Sequence, residues 1–129
     1  MKKREATVLL YSFIDQEKIA RIRQVLGSLQ IKDQVLASDS YRQKIGYLAG
    51  MQGFSAMPEN AEDFVFPHEV MIFHNIKGKQ LDQVLLAMKK ADIAPVKFKA
   101  IVTPFNMFWT LRRLCETVQK EHAVMINKG

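Results

Sequence analysis

The residues of this chain best suited to bind a metal ion are its three histidines and one cysteine. His68 and His74 lie in one apolar stretch, where strand geometry would put them on the same face but about 20 Å apart, too far to share an ion. Cys115 and His122 are two helical turns apart, and Glu116 would point in another direction. Because metal sites need several converging ligands, these spacings predict no metal site.

A cysteine nucleophile and a phosphate-binding loop are two other chemistries to consider. Cys115 would need His74 as its base, which would bring the inner face of a helix against the end of a strand. A lone thiol at helical spacing is more typical of a small core residue. Gly46, Gly50 and Gly53 do not follow the spacing of a phosphate-binding loop. We therefore predict no catalytic residue and no cofactor, and favour a protein that is not an enzyme.

Length and composition predict one domain that spans residues 1–129. With 129 residues, of which 48% are apolar and 25% are charged, the chain can bury a substantial core. Its longest apolar runs are far shorter than the roughly 20 residues needed to span a bilayer, so we expect no membrane segment. The basic start at residues 1–4 is followed by an apolar stretch that ends at Asp15 without a cleavage site, so we expect a cytoplasmic protein.

The net charge of +6 is concentrated in the second half of the chain. Residues 1–66 carry nine basic and eight acidic side chains, whereas residues 67–129 carry ten basic and five acidic ones. A moderate basic excess attracts polyanions weakly and without sequence preference. It leaves open a nucleic acid or another anionic ligand as the partner, with Phe105, Phe108 and Trp109 available for stacking, although these aromatic residues are better explained as part of the core.

The hydrophobic outline of residues 7–31 recurs in residues 69–93. Nine apolar positions match at one offset, because Val8, Leu9, Leu10, Tyr11, Ile14, Ile19, Ile22, Leu26 and Ile31 reappear as Val70, Met71, Ile72, Phe73, Ile76, Leu81, Val84, Met88 and Ile93. Such repeats constrain the architecture more than any single motif. The pattern predicts one strand-helix unit used twice, with the first strands of the two units side by side.

Apolar runs and helical periodicity place four strands and four helices on the chain. The predicted strands cover residues 7–13, 35–37, 69–75 and 96–102, and the predicted helices cover about residues 15–29, 41–51, 81–91 and 106–125. We therefore predict an α/β fold: a single layered domain of two repeated β-α-β-α units, at about residues 7–51 and 69–122, with about four strands and with helices packed on the sheet.

Residues 52–67 form the predicted connection between the two units. This loop is longer than ordinary connections, and loops of such length tend to carry function or to move. Phe54, Phe64 and Phe66 favour docking of the loop onto the body of the protein, because free linkers lack large apolar side chains.

The stretch from Phe98 to Leu111 is the most distinctive in the chain. Its apolar strand ends in Thr-Pro, followed by Asn two residues later and then by Trp-Thr-Leu. This pattern resembles the small bacterial proteins grouped as domain of unknown function 3783, over about residues 69–122. The matched positions are Thr103, Pro104, Asn106 and Trp109. Because that family has no established activity, substrate or cofactor, the resemblance implies no role for these residues.

The matched residues have a sufficient structural explanation. Pro104 ends the strand because it lacks an amide donor. Asn106 is expected to cap the helix that follows, and Trp109 can cover the seam between that helix and the sheet.

A ligand site is expected at the carboxyl ends of the strands. Ligands of open α/β sheets bind there, where helix amino termini offer free amides to an anion. Ser12 and His74 occupy equivalent positions in the repeat, so we expect both to border one groove if the strands run parallel, which the sequence leaves open. The candidate ligand-binding residues are Ser12, His74, Asn75, Thr103 and Asn106.

These patterns favour a small cytoplasmic protein that acts as a non-enzymatic binding, interaction or regulatory module. Its partner would be a protein or an anionic ligand, bound at the strand edge or at the aromatic loop around Phe64. The alternative is a weak binder of nucleic acid or another anionic ligand that uses the basic second half. A homo-oligomer is compatible with the sequence, and no membrane partner is expected.

Overall fold

In a computed structural model, which describes residues 5–58 and 63–128, the chain forms a four-stranded sheet with helices on both faces. The elements in chain order are β1 (Thr7–Tyr11), α1 (Gln16–Ser28), β2 (Lys32–Val35), a first 3₁₀ helix (Ser38–Arg42), α2 (Ile45–Leu48), β3 (Val70–His74), α3 (Gly78–Lys90), β4 (Phe98–Ile101), a second 3₁₀ helix (Asn106–Phe108) and α4 (Leu111–Lys128). The predicted α/β class is confirmed.

The strand order is β2-β1-β3-β4. β2 runs parallel to β1, and β4 runs parallel to β3, whereas β1 and β3 are antiparallel neighbours with Leu9 opposite Ile72. The prediction that the first strands of the two halves lie side by side is confirmed. β2 covers Lys32–Val35 rather than the predicted residues 35–37, because a mostly exposed edge strand carries no continuous apolar run.

β1 and β3 are buried on both faces, as their continuous apolar runs predict. One face of the sheet packs against α1 and α3, and the other packs against the first 3₁₀ helix, α2, α4 and the connecting loop. The strands contribute Val8, Leu10, Met71 and Phe73 to the first face and Leu9, Tyr11, Val70 and Ile72 to the second.

The helix predicted over residues 41–51 is wrong in its extent. The chain instead forms the first 3₁₀ helix, an extended step at Gln43 and Lys44, and the single turn of α2. The extended step is stabilised from outside, because the Gln43 carbonyl accepts from the Leu111 N–H at 2.9 Å and Lys44 forms an antiparallel bridge with Thr110. Long-range pairing of this kind overrides local helical periodicity.

The constant offset of the apolar repeat does not hold in the strands. Val8 and Val70, which the sequence comparison aligns, face opposite sides of the sheet. The connection from β1 to α1, residues 12–15, is one residue longer than the connection from β3 to α3, residues 75–77. One extra residue reverses the face to which every strand residue points, so the offset that aligns the helices misaligns the strands.

Left-handed residues mark corresponding points in the two halves. Ser12 (φ 64°) follows β1 and Asn75 (φ 59°) follows β3, while Gln30 (φ 59°) and Asp92 (φ 61°) follow α1 and α3. The predicted equivalence of Ser12 with His74 is therefore wrong, because Asn75 holds the position that corresponds to Ser12.

The last residues of the connecting loop, 63–67, dock on the second face of the sheet, as Phe64 and Phe66 predict. Phe66 is buried in that core, and its ring centroid lies 5.7 Å from that of Phe98. The Phe64 ring lies 6.2 Å from Phe66 and 5.5 Å from Tyr41. The loop thereby forms part of the layer that covers β3 and β4.

α4 buries the predicted stripe of Leu111, Leu114 and Cys115 against the same face. His122 continues this stripe, with its ring 5.4 Å from that of Phe98. In the part of the chain that the structure describes, neither α4 nor any other helix has the length and apolar character needed to cross a membrane.

Candidate functional site

The structure separates the five predicted site residues into two groups. Ser12 follows β1 at the end of the sheet where antiparallel β3 begins. His74 and Asn75 lie at the opposite end, together with Thr103 and Asn106, because β4 runs parallel to β3. The predicted shared groove is wrong, since antiparallel neighbours place their carboxyl ends at opposite edges.

The side chains of Ser12 and Asn75 each donate a hydrogen bond to the backbone of a segment that is distant in sequence. Ser12 Oγ donates to the Phe66 carbonyl, and Asn75 Nδ2 donates to the Glu5 carbonyl at 3.3 Å. His74 is partly buried as the last residue of β3. The hydrogen bonds of Ser12 and Asn75 give these two candidates a structural role.

Thr103 and Asn106 form a reciprocal pair in the connection from β4 to α4. The Thr103 N–H donates to Asn106 Oδ1 at 2.8 Å, and the Asn106 N–H donates to Thr103 Oγ1 at 3.0 Å. Each side chain thereby satisfies a free amide of the other residue, as in a capping box. Asn106 Nδ2 also donates to the Ile101 carbonyl at 2.8 Å, which ties the turn to the end of β4. We call residues 103–108 the aromatic turn.

The prediction that Asn106 caps the last helix is wrong. α4 begins after Thr110, whose Oγ1 accepts from the Arg113 N–H at 3.2 Å. Before this cap, Trp109 is extended, and its carbonyl accepts from the Ile45 N–H at 2.9 Å. This long-range contact with α2 separates the aromatic turn from α4, and no local sequence pattern marks it.

Asn106→Ala is expected to lower the free energy of unfolding by about 1–3 kcal/mol, because the Thr103 amide and the Ile101 carbonyl lose their side-chain partner. Urea unfolding followed by the fluorescence of Trp109 measures the change. The control Ser28→Ala removes one exposed hydrogen bond and should change stability by less than about 0.5 kcal/mol. Equal effects of the two substitutions would contradict a structural role for Asn106.

The aromatic turn displays two phenylalanines to solvent. Phe105 is 80% exposed and Phe108 is 56% exposed, and Ile101 at the end of β4 is 46% exposed. Single exposed apolar residues are common on soluble proteins, but three within residues 101–108, two of them on one hydrogen-bonded turn, are typical of an interaction surface. We call Ile101, Phe105 and Phe108 the exposed apolar surface. Their exposure follows from the turn and could not be read from the sequence.

Basic side chains lie on aromatic rings next to the aromatic turn. Arg113 Cζ is 4.4 Å from the ring centroid of Trp109, and Arg112 Cζ is 5.0 Å from that of Phe64. A cation in this position is attracted to the electron-rich face of the ring. One face of Trp109 is therefore covered by Arg113, whereas Phe105 in the aromatic turn is 80% exposed.

A cleft of about 260 Å³ lies beside the connecting loop. Its lining residues are Asp39, Ser40, Arg42, Gln43, Tyr47, Leu48 and Met57. Asp39 and Arg42 pair with each other at 3.8 Å. The volume lies below the usual range of small-molecule pockets, about 300–1,000 Å³, so this cleft is too small for a typical small-molecule ligand.

The lone thiol is in the core, as predicted. Cys115 is fully buried, and burial together with the nearby Glu116 carboxylate raises the pKa of its thiol to about 12. The reactive thiolate is therefore strongly disfavoured. Within residues 5–58 and 63–122, no three histidine, cysteine or acidic side chains are grouped so that they could hold a metal ion.

Comparison with known proteins gives one family match. Residues 69–125 match the model of the family described as Domain of unknown function (DUF3783). No curated protein and no solved structure matches the chain significantly. The matched segment holds β3, α3, β4, the aromatic turn and most of α4, whereas β1, α1 and β2 lie outside it. The predicted resemblance is thus confirmed: residues 69–125 match the model of the DUF3783 family, and the exposed apolar surface lies within this segment.

Proposed function

We propose that this protein is a non-enzymatic interaction module that binds a partner protein through the exposed apolar surface. The observation that carries the proposal is the exposure of Phe105 and Phe108 on a turn held by reciprocal hydrogen bonds. Two aromatic rings on a rigid turn can bury a large area at little cost in conformational entropy. Aromatic residues are also enriched at the energetic centres of protein interfaces.

The charge of the second half favours an acidic partner. Residues 67–129 carry ten basic and five acidic side chains. Arg112 and Arg113 belong to this excess and lie in the first turn of α4, which two residues separate from the aromatic turn. Complementary charge around an apolar contact speeds association and excludes wrong partners. The partner is therefore an apolar or aromatic segment flanked by acidic residues.

Three broader expectations belong to this proposal. The free, buried cysteine favours the cytoplasm, where thiols stay reduced. The paired left-handed residues after β1 and β3, and after α1 and α3, support descent of the two β-α-β units from one repeated unit. The shared sheet of the two units supports a single domain over residues 1–129.

Selection from a phage-displayed library of random peptides tests the proposal. We expect the wild type to enrich peptides that carry an aromatic residue or leucine beside aspartate or glutamate. The double substitution Phe105→Ser/Phe108→Ser should weaken binding of an enriched peptide at least about 30-fold, because it removes both rings. The matched control Leu86→Ser removes an exposed apolar side chain from α3 and should leave the affinity unchanged.

Fluorescence anisotropy with labelled peptide measures the three affinities, and far-UV circular dichroism checks that each variant is folded. The proposal fails if the enriched peptides bind the double variant as tightly as the wild type. It also fails if Leu86→Ser weakens binding as much as the double substitution, because the effect would then not belong to the aromatic turn.

The exposed rings also favour a second candidate, a binder of single-stranded nucleic acid. Bases can stack on Phe105 and Phe108, and the basic second half can attract the phosphates. Oligothymidine in the same anisotropy experiment separates the candidates. Absence of binding at roughly 50 mM salt removes this candidate, and a steep loss of affinity between roughly 50 and 200 mM salt would support it.

A further inference from the structure

Gly46 and Phe54 approach each other more closely than a side chain at position 46 would permit. A methyl group on Gly46 would lie at most 2.7 Å from three atoms of the Phe54 ring. Positive φ angles occur at Gly50 and Gly53 but not at Gly46, whose backbone therefore accepts other residues. The absence of a side chain at Gly46 permits this close contact, and the Phe54 ring packs directly against α2.

The Phe54 ring also contacts the aromatic turn, through Phe108. The ring centroids of Phe54 and Phe108 are 5.5 Å apart, and the ring planes are inclined by 42°. Phe108 remains 56% exposed in spite of this contact. Phe54 therefore lies between α2 and the exposed apolar surface. We call Gly46 and Phe108 the aromatic seat, and residues 50–57 the strap.

The strap is held at its two ends. The Met51 N–H donates to the Gly46 carbonyl at 2.9 Å. At the other end, Gln43 Oε1 accepts from the Met57 N–H at 2.8 Å, and Gln43 Nε2 donates to the Met57 carbonyl at 3.4 Å. Opening the strap from its Met57 end breaks these two hydrogen bonds and the ring contact of Phe54.

We propose that Phe54 is an internal competitor for the aromatic seat, and that an aromatic side chain of a partner protein displaces it. This competition rests on the proposed function, and it specifies that the partner residue that enters the seat is aromatic. An aromatic occupant fits because the seat already holds a phenyl ring between Gly46 and Phe108. Since the strap is tethered, its high local concentration lowers the apparent affinity of any external ring.

A capped synthetic peptide of residues 50–57 is the probe, and the amide shifts of residues 46 and 108 in isotope-labelled protein report its binding. Phe54→Ala vacates the seat, so we expect saturable binding. The wild type should bind at least about tenfold more weakly, because Phe54 competes. Gly46→Ala also displaces Phe54 but fills the seat with a methyl group, so we expect no saturable binding.

A peptide with alanine in place of its phenylalanine is the control and should bind none of the three proteins. Equal affinity of the wild type and Phe54→Ala would overturn the competition. Absence of saturable binding to Phe54→Ala up to about 10 mM peptide would overturn the proposal that the aromatic seat binds an external phenyl ring.

Gln43→Ala is a second variant for the case that Phe54→Ala loses the dispersed spectrum of a folded protein. It removes the hydrogen bonds that hold the strap at Met57 and keeps every ring. We expect it to bind the peptide more tightly than the wild type, and unchanged affinity would overturn the competition. A dimer of the wild type that disappears in Phe54→Ala would show that copies exchange their straps, which would overturn the partner protein as the occupant.

The proposed function and the competition can fail separately. Suppose that Phe54→Ala binds the peptide but the library selection enriches no peptide. This result would contradict the binding of a partner protein, and the seat would then serve only to pack Phe54 of the same chain. Enriched library peptides that bind the wild type and Phe54→Ala equally would support the exposed apolar surface and overturn the competition by Phe54.

Discussion

Phe73→Ala is expected to lower the free energy of unfolding by about 3–5 kcal/mol, whereas Phe105→Ala is expected to change it by less than about 0.5 kcal/mol. Phe73 is 1% exposed and packs with residues of α1 and α3, whereas Phe105 is 80% exposed. Removal of the buried ring leaves a cavity that the neighbours fill only in part. Removal of the exposed ring leaves no cavity, so one substitution has a large effect and the other almost none.

Urea unfolding followed by far-UV circular dichroism gives both values. A domain of this size is stabilised by about 5–15 kcal/mol in total, so Phe73→Ala removes a large share of it. A loss for Phe105→Ala as large as that for Phe73→Ala would show that the exposed ring is needed for folding. Such a result would contradict the assignment of Phe105 to a binding surface.

Stability is expected to fall as the pH rises above about 9. Burial, with a smaller effect of Glu116, raises the pKa of Cys115 from 9.0 to about 12. Burial, with a smaller effect of Cys115, raises the pKa of Tyr11 from 10.0 to about 12. In this range the unfolded chain loses protons that the folded state keeps, so the free energy of unfolding decreases with increasing pH. For Cys115 alone the loss approaches about 4 kcal/mol near pH 12.

Urea midpoints between about pH 8 and pH 11 measure this loss. Cys115→Ala removes the first of the two ionisations, so its stability should begin to fall only above about pH 10, where Tyr11 titrates in the unfolded chain. The slope against pH is compared, because the substitution also changes the packing of the core. A wild-type stability that stays constant to pH 11, or an unchanged slope in Cys115→Ala, would contradict the expectation.

Local patterns in the sequence determined most of the elements of this fold. The continuous apolar runs of β1 and β3 predicted strands buried on both faces, because only a central strand can bury both sides. Helical spacing predicted α1, α3 and the buried stripe of α4, including Cys115. Thr103, Asn106 and Trp109 predicted the family segment. Each of these features depends on residues a few positions apart, which a single sequence displays directly.

Only the tertiary structure decided how these elements meet. The direction of β3 relative to β1 depends on strand pairing across distant segments, and this antiparallel pairing separates Ser12 from Thr103. The bridge between Lys44 and Thr110 likewise divides the predicted helix and delays the start of α4. The exposure of Phe105 and Phe108 was likewise visible only in the structure, because the hydrogen bonds of the aromatic turn and the contact of Trp109 with Ile45 set the path of the chain there.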